Sequence, residues 1–213
     1  EMSDAQSKLS QLQAQVAQGK QVVNPSDAPD KAAALQRLNS VLSSQNSYQA
    51  SVTSLGNRLS AEQTALNSAS NLIISLKELA VQASNGTLGT QDRQSIATQM
   101  QAQRDELLSL ANTQDSNGNY LFSGSKVTHP AFAVGASGYP VYQGDQTRMQ
   151  VKIGDQLSIP LNQPGTDAFV SLNRTDGNGN VGFFQSLDQL IQGVQNSDQT
   201  AMQRGLGELD TMQ

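Results

Sequence analysis

The 213-residue chain has no cysteine and no tryptophan, and aromatic residues make up only 4% of it. Without cysteine, neither a disulfide framework nor a thiolate metal site can form. Few aromatics alongside 36% apolar residues give little material for one compact core. That balance suits an elongated rod, in which each helix buries a narrow stripe and wets the rest. Basic residues are few and scattered, and the net charge is −5 with a sequence pI near 4.7. No cationic stripe is available to neutralise phosphates, which excludes ordinary nucleic-acid binding and disfavours an anionic membrane surface. No apolar run approaches the ~20 residues of a membrane-spanning helix. Leu72-Ile73-Ile74 is the longest local cluster and reads as part of a helix seam.

Met2, Ala5, Leu9, Leu12 and Val16 are spaced 3-4-3-4, a coiled-coil-like stripe that Gly19 is placed to end. The stretch Val22–Asp30 follows without periodicity. Pro25 keeps Asn24 out of the helical region, and Asp27 is placed to cap a new helix with Pro29 in its first turn.

The dominant pattern begins there. Between Pro29 and Ser84 the only helix breaker is Gly56. Leu38, Gln45, Val52, Leu59, Leu66, Ile73 and Ala80 recur every seven residues, accompanied by Val41, Tyr48, Leu55, Glu62, Ala69, Leu76 and Ala83. Two such rows predict one helix about 80 Å long with an a/d seam, Leu59 and Leu66 lying mid-seam and Gln63 exposed. Asn85-Gly86 supplies the stop. A third helix starts with Thr90 as its N-cap, carries Ile96, Met100, Gln103, Leu107 and Leu110, and ends near Thr113. The short link requires it to fold back antiparallel.

After the turn-rich Asp115–Asn119 the period changes. From about Tyr139 it is two: Met149, Val151 and Ile153 face one way, and Arg148, Gln150 and Lys152 the other. Gly154-Asp155 reads as a two-residue hairpin turn, and Leu157, Ile159 and Leu161 return in alternation, with Pro160 marking an edge strand. Helical spacing resumes at Phe184, Leu187, Ile191 and Val194. Asn196-Ser197-Asp198 offers a new N-cap ahead of Met202, Leu206, Leu209 and Met212. The fold class is therefore α+β, an elongated antiparallel helical bundle with a small inserted β domain. Residues 1–126 and 182–213 form the rod and residues 127–181 the insert. Both ends read as cut from longer helices, and Glu1-Met2-Ser3-Asp4 resembles neither an initiator nor a basic signal region.

Candidate chemistry is sparse. His129 is the only histidine and lies in a loop, without the partners a triad or zinc site needs. Asp115-x-Asn117-x-Asn119 and Asp176-x-Asn178-x-Asn180 imitate the start of a calcium loop. Their sixth positions are Tyr120 and Val181 where glycine belongs, and their twelfth are Lys126 and Leu187 where the bidentate glutamate belongs. Both are read as turns. No phosphate-cradling glycine motif is present. The expectation is no enzyme, no cofactor, no catalytic residue and no metal ligand.

Four groups of residues then resemble one family. Asn24-Pro25-Ser26-Asp27-Ala28-Pro29 is similar to the loop between the first two helices of bacterial flagellins and their hook–filament junction relatives. Asn85-Gly86-Thr87-Leu88 with Arg93 and Ile96 resembles their second helix-to-helix turn. Asn117–Ser125 and Tyr142-Gln143-Gly144-Asp145 resemble the exit from the helical core and the short insert of the junction members. The resemblance implies a structural subunit in a ring of identical copies, with hook-associated protein 1 on one side and flagellin on the other. It also implies an export chaperone, type III secretion and an extracellular place on the flagellum, with no nucleic acid and no membrane insertion. A flagellin proper and an unrelated coiled-coil scaffold are the alternatives.

Overall fold

The computed structural model describes residues 2–19, 29–174 and 179–212. Helix α1 spans Met2–Gln18, and Gly19 follows it at φ +62°, the left-handed stop the sequence predicts. The expected loop after it, including the Asp27 cap, lies outside the described residues.

Helix α2 runs unbroken over Pro29–Ala83, 55 residues, straight through Gly56. Its end differs from expectation, because Gly86 does not take a left-handed conformation. Arg93 supplies the stop: its Nε donates to the Ala83 carbonyl at 3.1 Å and Nη2 to the Asn85 carbonyl at 2.9 Å. A cation on the free carbonyls of a helix C-terminus satisfies them and complements the dipole. Asn85 Oδ1 accepts from the Thr87 amide at 3.1 Å, which turns the chain. Helix α3 covers Thr90–Ala111, and its N-cap is Gly89 rather than Thr90. The reason is local: Asp92 accepts the Gly89 amide at 3.2 Å, and Thr90 is already helical.

The insert contains β1 (Phe132–Val134), β2 (Pro140–Tyr142), β3 (Gln150–Lys152), β4 (Ser158–Pro160), the single turn α4 (Gly165–Ala168), β5 (Leu172–Asn173) and β6 (Asn180–Val181). The strands form three separate antiparallel ribbons, β1-β2, β3-β4 and β5-β6. Val151 faces Ile159 across β3-β4 in the alternation predicted. The connection is longer than a two-residue Gly154-Asp155 turn, because the Ile153 amide bonds the Leu157 carbonyl at 3.0 Å and three residues lie between them.

Helices α5 (Phe183–Gln195) and α6 (Gln199–Met212) complete the chain. Asp198 caps α6, its Oδ1 accepting the amides of Thr200 at 3.0 Å and Ala201 at 3.1 Å. The two helices approach closely at glycines. A Cβ on Gly193 would stand 2.8 Å from the Ala201 Cβ, and one on Gly205 would stand 2.8 Å from the Leu190 Cβ.

The C-terminal half of α2, with α3, α5 and α6, makes the antiparallel bundle. Gln103 reaches Ser75 at 2.8 Å, Arg104 pairs with Asp188 at 2.7 Å, and Lys77 pairs with Asp210. Its core holds Leu76, Met100, Leu107, Leu187, Leu190, Met202 and Leu209. The buried seam of α2 is Leu55, Arg58, Glu62, Ala65, Ala69, Ile73, Leu76, Ala80 and Ala83. Leu59, expected mid-seam, is 49% exposed, and Leu66 is half-buried. A straight helix drifts about 20° per heptad against a strict seven-residue repeat. Three heptads separate Ala80 from Leu59, so that row has turned about 60° away. Arg58 and Ala65 take its place.

Candidate assembly surface and insert junction

Two arrangements stand out: the place where the insert joins the rod, and a run of apolar side chains that no described residue seals.

All five phenylalanines of the chain gather at the junction. Phe169 packs against Phe122 at 5.7 Å between ring centroids, against Phe132 at 5.5 Å and against Phe183 at 5.3 Å. Phe184 packs against Phe132 at 5.2 Å and carries the Arg104 guanidinium 5.8 Å from its ring centre. These edge-on contacts suit the aromatic quadrupole. They make one continuous core out of α3, α5 and the root of the insert.

Around this cluster two of the family-like motifs interlock. The Tyr142 hydroxyl lies 3.0 Å from the Phe122 carbonyl and 2.8 Å from that of Asp145, sharing one proton between them. Asp145 accepts the Ser125 amide and the Thr147 amide, both at 2.9 Å, and the Ser125 hydroxyl at 2.5 Å. The Ser125 hydroxyl and amide and the Thr147 amide hold this carboxyl well below the usual range. Burial pushes the Tyr142 phenol up, so it remains a donor. Gly124 sits at φ +69°, and a Cβ there would lie 2.2 Å from the Asp145 carbonyl oxygen. Only glycine fits.

A second junction is ionic. Arg58, 6% exposed, donates to the Leu121 carbonyl at 2.7 Å and reaches Asp115 at 3.4 Å and Glu62 at 3.2 Å. Asp115 in turn accepts the amides of Asn117 at 2.8 Å and Asn119 at 3.0 Å. Burial works to raise the Asp115 carboxyl, but the amides of Asn119 and Asn117, the Asn119 side chain and the Arg58 charge outweigh it and leave it lowered. Burial raises Glu62 against the opposing pull of Arg58. Asp115-x-Asn117-x-Asn119 is thus a carboxylate-nucleated turn tied to α2, and its oxygens face amides and a guanidinium, which repel a cation's claim on them. The corresponding Asp176 motif lies largely outside the described residues. His129 is exposed, its ring lying 3.0 Å from the Thr128 hydroxyl and its amide donating to the Lys126 carbonyl at 3.0 Å. Among the described residues no group of three His, Cys, Asp or Glu could hold a metal, and no helix is long and apolar enough to cross a membrane.

Sequence reading missed the Arg58 role and the Arg93 cap. A signal for the first existed: Arg58 and Glu62 stand at i and i+4, within pairing reach on one helix face, and Glu62 already interrupts an otherwise apolar row.

The uncovered run lies on the N-terminal half of α2, where Leu35, Leu38, Val41, Leu42 and Val52 are each about half exposed. On α1, Met2, Leu9, Leu12 and Val16 are exposed as well. Apolar stripes of this length on a water-facing helix mark contact surfaces.

The sequence profile of the bacterial flagellin N-terminal helical region matches residues 1–127. The chain belongs to that flagellin family. Flagellar hook-associated protein 3 of Escherichia coli K12 is 33% identical over 183 residues, covering 83% of this chain and 57% of the relative. The chain thus spans just over half of that relative's length. Flagellin B of Vibrio cholerae is 33% identical over 112 residues, 51% of this chain and 30% of the flagellin. Among solved structures, a putative flagellar hook-associated protein from Vibrio parahaemolyticus shares the fold with a TM-score of 0.69 at 24% identity, over 88% of this chain and 85% of that one. The helical rod with its small β insert is the architecture this chain shares with that solved structure.

Proposed function

We propose that this chain belongs to a hook–filament junction subunit, a non-enzymatic adaptor standing between hook-associated protein 1 and the flagellin filament. One observation carries the reading over the flagellin alternative. The likeness to hook-associated protein 3 extends over 183 residues, so it continues past the 127-residue helical region that the whole flagellin family shares. The likeness to flagellin B stops at 112 residues. In this reading residues 1–126 and 182–213 form the rod, and residues 127–181 are an outward insert fastened by the Asp145 and Tyr142 contacts to Phe122 and Ser125. Identical copies form a ring through the uncovered stripes of α1 and α2. Secretion through the flagellar type III pathway, with an export chaperone covering those stripes beforehand, places the subunit outside the cell.

Complementation tests this. The full-length gene supplied to a strain of the same species lacking its junction protein should restore swimming and stop the release of unassembled flagellin into the medium. Restored swimming in a strain lacking flagellin instead would transfer the assignment to the filament subunit. Failure in both strains would leave the scaffold alternative standing.

A further inference from the structure

The β3-β4 ribbon is held at two points that differ in kind. At its base, buried Asn162 accepts the Met149 amide at 2.7 Å and donates to the Thr147 carbonyl at 3.1 Å, while Leu161 bonds back to Met149 at 2.7 Å. Arg148 pairs with Asp167 at 2.6 Å beside it. At its tip, the Tyr48 hydroxyl on α2 donates to Asp155 Oδ1 at 2.9 Å, an exposed bond between groups 107 positions apart. Between α2 and the ribbon's base, a cleft of about 570 Å³ is bounded by Ser54, Asn57 and Arg58 on one side and Met149 and Leu161 on the other. An isolated two-stranded ribbon is marginally stable in water, and the strands here are three residues each. Its position therefore depends on what it touches. The hydrogen bond to Asp155 raises the Tyr48 phenol, which keeps it a donor at neutral pH.

We infer that the β3-β4 ribbon is a latched strap, hinged at Asn162 and closed by the Tyr48–Asp155 contact, which opens the cleft beside α2 without unfolding the rod. The rod is independent of the latch because its core lies among α2, α3, α5, α6 and the root of the insert, and holds no residue of β3 or β4. The hinge is independent because its bonds are part-buried around the buried Asn162 and internal to the insert. Opening therefore moves the ribbon's tip first and leaves its base paired. It also frees a band of α2 that adjoins the uncovered apolar stripe.

Amide hydrogen exchange on the intact chain separates these parts. Tyr48→Phe, which removes only the donor oxygen, should speed exchange at Ile153, near the tip, by about threefold or more. Leu161, at the base, should change less, and Met100 and Leu107 in α3 should not change. Asp155→Ala should match Tyr48→Phe, and the double variant should add nothing further, as a shared contact requires. Asp155→Asn keeps an acceptor oxygen and should restore slow exchange in the Tyr48 background. Unchanged exchange at Ile153 in both single variants would overturn the latch. Equal acceleration at Ile153, Leu161 and α3 would overturn the strap, because the rod and ribbon would then open together.

Discussion

The two halves of α2 are one helix with one heptad pattern, and their surroundings are opposite. Over residues 55–83 the seam is sealed by α3, α5 and α6, and Leu76 has no exposed surface. Over residues 29–54 the same two rows continue, yet Leu38 is 55% exposed and Val41 53%. A heptad row records that a helix has a partner along its whole length. It does not record whether the partner is in the same chain. The difference ties the second half to the folding of this chain and, under the proposed ring, leaves the first half to neighbouring copies.

Arg58, at the boundary between the halves, gives the largest effect that would break this division. Arg58→Ala strands buried Glu62 and the Leu121 carbonyl, and should cost about 3–5 kcal/mol in chemical denaturation. A loss under about 1 kcal/mol would show that the junction is wet and the boundary soft. Next comes the seam itself. Leu76→Ala should cost about 2–5 kcal/mol, whereas Leu38→Ala should stay within about 0.5 kcal/mol for the isolated chain. Equal losses would mean that both halves fold against something.

Glycines sharpen the contrast at a smaller scale. Gly205→Ala forces a methyl against Leu190 where α5 and α6 touch, and should destabilise by about 1–3 kcal/mol. Gly56→Ala in α2 meets nothing within 4 Å, and should raise stability by about 0.5–1 kcal/mol through the unfolded chain. Thermal unfolding of both variants checks the opposite signs.

The smallest effect is on pH dependence. The folded-state Asp115 carboxyl lies below its ordinary value of 3.8. Its contribution is complete above that value and is lost as pH falls through the lowered one. Glu62 lies above its ordinary value of 4.5, so its contribution is complete at lower pH and is lost as pH rises through the raised value. Asp115→Asn should flatten the acid limb of a stability–pH profile, and Glu62→Gln the rise-side loss above 4.5. Swapped behaviour would mean that Arg58 serves Glu62 more than Asp115.

Much of this was legible in residues. The absence of proline from 30 to 83 and the doubled seven-residue spacing determined a single long helix. Asp198 announced the cap of α6, because a carboxylate ahead of a helical stripe has two free amides within reach. Gly19, with no neighbour to accommodate, announced the end of α1 in the same local way. Each of these rests on atoms a few positions apart.

What tertiary structure decided lies at longer range. The choice of Arg58 and Ala65 over Leu59 as seam residues depends on where α3 and the Asp115 turn sit against a helix whose rows drift. Arg93 became the stop of α2 because α3 folds back and carries it to the Ala83 carbonyl. The five phenylalanines, scattered between positions 122 and 184, became one cluster only when the insert closed on α3 and α5. The sequence alone determined the helices, since helix formation is governed by neighbours within one turn or two. Only the folded chain decided which stripe is buried and which left open, since burial is a property of the partner as much as of the helix.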